Sequence, residues 1–112
     1  MTLFKGLFMQ LLCSVSDLDK TQGKGVEVNG KQIMIVRQHD DVFVYENSCP
    51  HMGVTLEWQP DQFLSSDNQL IQCATHGAQF VINSGQCIAG PCNGQALKPI
   101  DFKIDNGNIY LA

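Results

Sequence analysis

Two short segments hold the residues best suited to chemistry, Cys49-Pro50-His51 and Cys73-Ala74-Thr75-His76. Each joins one thiol to one imidazole, but the spacing within the pair differs. Thiolate sulfur and neutral imidazole nitrogen both bind borderline and soft metals well, so the pairs together offer four metal donors. Of the three histidines and five cysteines, only His39 and Cys13 lie outside the stretch from about Glu46 to Gly94. Two metals compete for such a set. Zinc accepts two cysteines and two histidines tetrahedrally, yet its common sequence form sets Cys with Cys on one turn and His with His on another. One donor of each kind per loop suits a two-iron centre, in which each loop sends its thiolate to one iron and its imidazole to the other, so that both loops grip both metals.

The elements that must position these loops read as β throughout. Around Asn29-Gly30 two alternating runs meet in "KGVEVNGKQIMIV", and the Asn-Gly dipeptide predicts a type I′ hairpin because both central residues accept positive φ. The run Ile33 to Arg37 is apolar on both faces and should be buried. "VFVYE" reads as the next strand, with Tyr45 packing inside it and His39 left in a solvated turn. At the C-terminus, Ile100, Phe102 and Ile104 point one way and Asp101, Lys103 and Asp105 the other, before Asn106-Gly107 reverses the chain. Between the hairpins, "LIQC" and "AQFVI" read as strands flanking the second pair, Asn83-Ser84-Gly85 as a turn, and Pro60 to Ser66 as a place for a short helical turn. Met52 and Trp58 suit core packing there, or a shield over the site. Loops carried on a rigid β scaffold are where site residues usually sit.

Composition narrows the function. At 112 residues the chain makes one domain with one site. A content of 44% apolar and 16% charged residues is that of a globular protein. The net charge of -4, with no cluster of Lys or Arg, argues against nucleic acid and fits docking against basic patches on protein partners. The apolar stretch Leu7 to Cys13 is far shorter than the roughly 20 residues of a membrane span, and no small-residue cleavage site follows it. We therefore expect residues 1–8 to be an extension, no membrane association, and a cytoplasmic location. In a reducing compartment, an odd number of cysteines points to metal binding before disulfides. Cys13 reads as a small buried apolar residue. Cys87 and Cys92 bracket "CIAGPC" and could bridge only if the loop brings their Cα atoms within about 7 Å.

The order of the two pairs, with 21 residues between His51 and Cys73, resembles the signature of Rieske [2Fe–2S] proteins, and Gly77, Phe80, Gly85, Gly90 and Pro91 stand where that family continues its pattern. The likeness covers about residues 9–112. It implies an all-β fold of stacked antiparallel sheets, in which a small cluster-binding subdomain (about 46–94) is inserted in a β base domain (about 9–45 and 95–112). It further implies one [2Fe–2S] cluster, with Cys49 and Cys73 on the inner iron, His51 and His76 on the outer, redox-active iron, and Gly90-Pro91 as a cover. The connection between the pairs is a few residues longer than in the ferredoxins of ring-hydroxylating oxygenases. High-potential respiratory members are similar but carry an extra cysteine in each loop and Ser and Tyr hydroxyls near the sulfurs. Val54, Ala78 and Phe80 look like the corresponding positions here, and none donates a side-chain hydrogen bond, so the resemblance implies the low end of the family's range, about -150 mV. Two ferric ions, two sulfides and two thiolates are jointly neutral, whereas a four-thiolate cluster is already negative before it accepts an electron; imidazole ligation eases reduction.

The implied function is a soluble one-electron carrier passing electrons from a reductase to a terminal oxygenase or similar acceptor. No flavin or nicotinamide fingerprint is present, and the mononuclear iron of an oxygenase would need two further histidines and a carboxylate where only His39 is left. An electron-transfer protein is expected rather than an enzyme. The alternatives are a subunit of a larger oxidoreductase, similar to the small subunit of nitrite reductase, and a redox or iron sensor.

Overall fold

A computed structural model describes residues 10–18, 23–50, 55–57, 61–74, 77–92 and 94–112. Among the described residues the strands, in chain order, are β1 (Gln10–Ser14), β2 (Gly23–Val28), β3 (Lys31–Gln38), β4 (Asp41–Glu46), β5 (Leu70–Gln72), β6 (Gln79–Val81), β7 (Cys87–Ala89), β8 (Phe102–Asp105) and β9 (Asn108–Leu111). They form three antiparallel sheets, ordered β1-β9-β8, β2-β3-β4 and β5-β6-β7. The all-β, stacked-sheet expectation is met.

The sheet β2-β3-β4 is shared between two cores, which explains why β3 is apolar on both faces. Successive residues of a strand point to opposite sides. Ile33 and Ile35, with Val42 and Val44 of β4, enter a core with Leu12, Cys13, Leu18 and Ile109. Met34, Val36 and Tyr45 enter the other core, with Cys49, Leu56, Phe63, Ile71, Cys73 and Phe80. Cross-strand register agrees, since Met34 lies opposite Tyr45 and Ile35 opposite Val44. Each large aliphatic side chain so buried contributes about 1.5–3 kcal/mol.

Both predicted Asn-Gly reversals form. Asn29 and Gly30 take φ values of 52° and 82°, and Asn106 and Gly107 take 55° and 80°, the paired left-handed conformations of a type I′ turn. His39 lies exposed in the β3–β4 turn, and its carbonyl accepts a hydrogen bond from Arg37 Nε at 3.0 Å. Tyr45 does more than pack. Its hydroxyl donates to the Ile82 carbonyl at 2.7 Å, bracing β4 against the turn after β6.

Three local details depend on packing. Ile104 is 46% exposed, because β8 is an edge strand and the core lies beneath Ile100 and Phe102. No helix forms between Asp61 and Ser66, where Leu64 instead bridges Ile71. A 3-10 turn, Val15–Leu18, appears at the end of β1; the Ser14 N–H donates to Asp17 Oδ2 at 3.0 Å, and Leu18 is buried completely. The expected extension 1–8 lies outside the described residues.

Candidate metal centre

Cys49 sits just beyond β4, and Cys73 just beyond β5. Both are fully buried in one core, and both carry thiols. Asn47 sets the first loop. Its N–H donates to the Gln32 carbonyl at 2.9 Å, its Oδ1 accepts from the Leu56 N–H at 2.8 Å, and its Nδ2 donates to Glu57 Oε1 at 2.7 Å. The side chain is only 3% exposed, so it needs these partners and closes the loop at its base. Sequence reading passed over Asn47, because an Asn after a strand is ordinarily just a turn residue.

The second loop closes on itself. The Cys73 N–H donates to the Ala78 carbonyl at 2.8 Å and the Gly77 N–H to the Cys73 carbonyl at 2.9 Å. The Ala74 N–H reaches the Leu56 carbonyl at 2.9 Å, tying the second loop to the first. Two thiols far apart in the chain are thereby held in a common core by backbone hydrogen bonds.

A third segment packs over the second loop. Cys87 and Cys92 form a disulfide, with Cα atoms 5.9 Å apart, within the span such a bridge requires. Inside the bracketed segment, Gly90 takes φ 93°, and a Cβ there would stand 2.8 Å from the Ala78 Cα. Only glycine permits this approach, because it combines left-handed backbone with no side chain. The Cys87 N–H donates to the Gln95 carbonyl, and the Gln95 N–H to the Cys92 carbonyl, locking the far side of the segment. A groove of about 440 Å³ runs beside Cys49 and Pro50, flanked by Glu46 and Lys98.

His51 and His76 lie outside the described residues, as do Met52, Val54 and Trp58. Among the described residues no group of three metal-donor side chains assembles; of the four expected ligands, the thiols of Cys49 and Cys73 are described, and they share one core. That pair suits a cluster: two sulfur donors shielded from water, on separate loops, not joined to each other by a disulfide. Cys13 belongs to the other core. Burial, reinforced by the Asp17 carboxylate, pushes its thiol up to about 11, so it stays protonated near neutrality.

Over residues 8–103 the sequence matches the Rieske [2Fe-2S] domain family, and the chain belongs to that family. Its cofactor is accordingly one Rieske-type [2Fe–2S] cluster. The chain is 26% identical over 97 residues to the ferredoxin component of the naphthalene 1,2-dioxygenase/salicylate 5-hydroxylase systems of a Ralstonia species, a match spanning 87% of this chain and 88% of that protein. It is 27% identical over 100 residues to human apoptosis-inducing factor 3, covering 89% of this chain and 16% of that protein. The ferredoxin of carbazole 1,9a-dioxygenase from Nocardioides aromaticivorans IC177 has the same fold, with a TM-score of 0.75 at 23% identity over 93% of this chain and 96% of its own.

Proposed function

We infer that the protein is a soluble, cytoplasmic one-electron carrier, not itself an enzyme, that accepts electrons from a reductase and delivers them to a terminal oxygenase or similar acceptor. The observation that carries this reading is the pair Cys49 and Cys73, buried as thiols in one core on loops tied by the Ala74–Leu56 hydrogen bond. The match to a dioxygenase-system ferredoxin along most of both chains supports it. In this reading Cys49 and Cys73 bind one iron, His51 and His76 bind the other, residues of about 46–94 form the cluster lobe, and residues of about 9–45 and 95–112 form its base. The bound cluster supplies a one-electron couple. The chain's part is to keep water from the sulfur ligands through the packing of Leu56, Ala78 and Phe80 and to hold both loops still, so that little reorganisation accompanies electron transfer.

Iron analysis and EPR of the dithionite-reduced protein test this. Two irons per chain and a signal lost in Cys49→Ser, Cys73→Ser, His51→Ala and His76→Ala variants are expected. An EPR-silent protein with stoichiometric zinc refutes it. A second reading, a domain held permanently in a larger oxidoreductase, is favoured by the match to a small part of apoptosis-inducing factor 3; obligate co-purification with a large partner would distinguish it from a free carrier.

A further inference from the structure

Cys87 and Cys92 stand in neither ligand loop, and they close a ring of their own, five residues apart in the chain. Cys87 opens β7, and Cys92 follows shortly after its end. The ring meets the metal centre at one point. Gly90, inside it, lies so close to Ala78 that a Cβ would stand 2.8 Å from the Ala78 Cα. The Ala78 carbonyl in turn accepts the Cys73 N–H at 2.8 Å. The bridge thus clamps the segment that presses on the residue closing the loop of an expected ligand.

Several features fit this bridge to open as well as to close. β7 is an edge strand of the sheet β5-β6-β7, and its pairing breaks between Gln79–Ala89 and Phe80–Cys87, where Ile88 is left 54% exposed. A short edge segment with a broken ladder opens locally at low cost. The Ala89 carbonyl oxygen lies 3.3 Å from Cys87 Sγ and 3.9 Å from Cys92 Sγ. A disulfide has no proton to give that oxygen, whereas a thiol has one, so a dithiol state finds its acceptor already in place. Closing so short a ring stabilises the fold little, and the fold survives its opening. From Asn68 to Leu97 there is no Asp, Glu, Lys or Arg, so this stretch supplies no cation to activate either thiol toward peroxide. The attacking thiolate must come from outside.

We propose that Cys87 and Cys92 form a second redox site, a dithiol/disulfide couple that exchanges with a dithiol reductant, and that opening it loosens the loop carrying Cys73. The consequence for the cluster rests on the carrier reading above, which also places the chain in the cytoplasm, where a disulfide is ordinarily a transient or sensing one. A thiolate of the reductant attacks one sulfur of the bridge; the S–S bond breaks, a mixed disulfide forms, and the released thiolate takes a proton. The reductant's second thiol then attacks the mixed disulfide. Two electrons and two protons pass from the dithiol, which leaves as a disulfide, to Cys87 and Cys92, and the reverse exchange closes the ring. Cys87 is only 3% exposed and Cys92 is fully buried, so each exchange waits on opening of β7.

The anaerobic holoprotein, held in glutathione buffers of stepped reduced-to-oxidised ratio, tests this. Mass spectrometry after iodoacetamide treatment counts the thiols, with equilibrium approached from both the bridged and the open form. Two further labels, on Cys87 and Cys92, should appear at reducing ratios and vanish at oxidising ones. A ferrous chelator should draw iron about tenfold faster from the open form. Cys87→Ser/Cys92→Ser should lose iron at the faster rate in every buffer, which separates the effect of the bridge from that of glutathione itself. A bridge that glutathione leaves closed in the folded protein overturns the proposal, since structural disulfides resist that couple. An open bridge with an unchanged rate of iron release also overturns it. A chain carrying zinc in place of the cluster would instead refute the carrier reading and leave the thiol count as expected.

Discussion

Ala78 and Phe80 are completely buried, in the same core as Cys73, and neither side chain has a hydrogen to offer a sulfur. A hydroxyl there would favour the more negative, reduced cluster. Ala78→Ser and Phe80→Tyr should each raise the potential by about 60 mV, the one-electron equivalent of a hydrogen bond to a charged group of about 1.5 kcal/mol. Voltammetry of the two variants checks this, and unchanged potentials would show that the hydroxyls do not reach the sulfurs. Cys13 makes a different residue-scale prediction. Its thiol is raised from the usual 9.0 to about 11, mainly by burial. The folded state thus holds the proton more tightly than the unfolded state. The associated stability is fully present below about pH 9 and is lost as pH rises toward 11, at about 1.4 kcal/mol per pH unit. Denaturant melts should show Cys13→Ala losing roughly 2–3 kcal/mol less than the parent between those pH values.

Among the elements, the segment from Cys87 to Cys92 depends most on a single bond. Its ring is small, so removing the disulfide should cost about 2 kcal/mol in loop-closure terms. Cys87→Ala/Cys92→Ala is expected to lose about that much in denaturant melts under oxidising conditions, and reductant should bring the parent down to meet it. Hydrogen exchange should place the loosening at the Cys87, Gln95 and Leu97 amides, which the surrounding backbone bonds now protect. Exchange confined to β8 and β9 instead would contradict this. The first loop relies on a side chain, Asn47, where the third segment relies on a covalent link.

At the scale of the whole molecule, two cores share the sheet β2-β3-β4 but not its faces. Among the described residues, the core holding Ile33, Ile35, Val44 and Ile109 contains one cysteine, Cys13. The other is built around Cys49 and Cys73. Metal binding energy is also folding energy for the segments that supply the ligands. Removing iron with a chelator should therefore speed hydrogen exchange in residues 47–50, 55–57 and 73–74 while the Ile33, Ile35 and Ile109 amides stay protected. Loss of protection everywhere would mean that the cores are not separable.

Much of this architecture is legible along the chain, because local rules govern it. Asn-Gly pairs demand positive φ, so both hairpins are readable at Asn29 and Asn106. The unbroken apolar run Ile33 to Val36 marks β3 as buried on both faces before any partner is known. The differently spaced pairs beginning at Cys49 and Cys73 raise the expectation of a metal centre, and one thiol and one imidazole per loop favours two irons over zinc. Tertiary structure decided what depends on distance between remote segments: that Cys87 and Cys92 come close enough to bridge, that Asn47 reaches Leu56 and Glu57, that Gly90 must lack a side chain because Ala78 lies against it, and that Ile104 is left exposed on an edge strand while Ile88 is held at a bulge. Residue type and spacing record what each segment tends to do, whereas contact between segments follows from how the sheets stack.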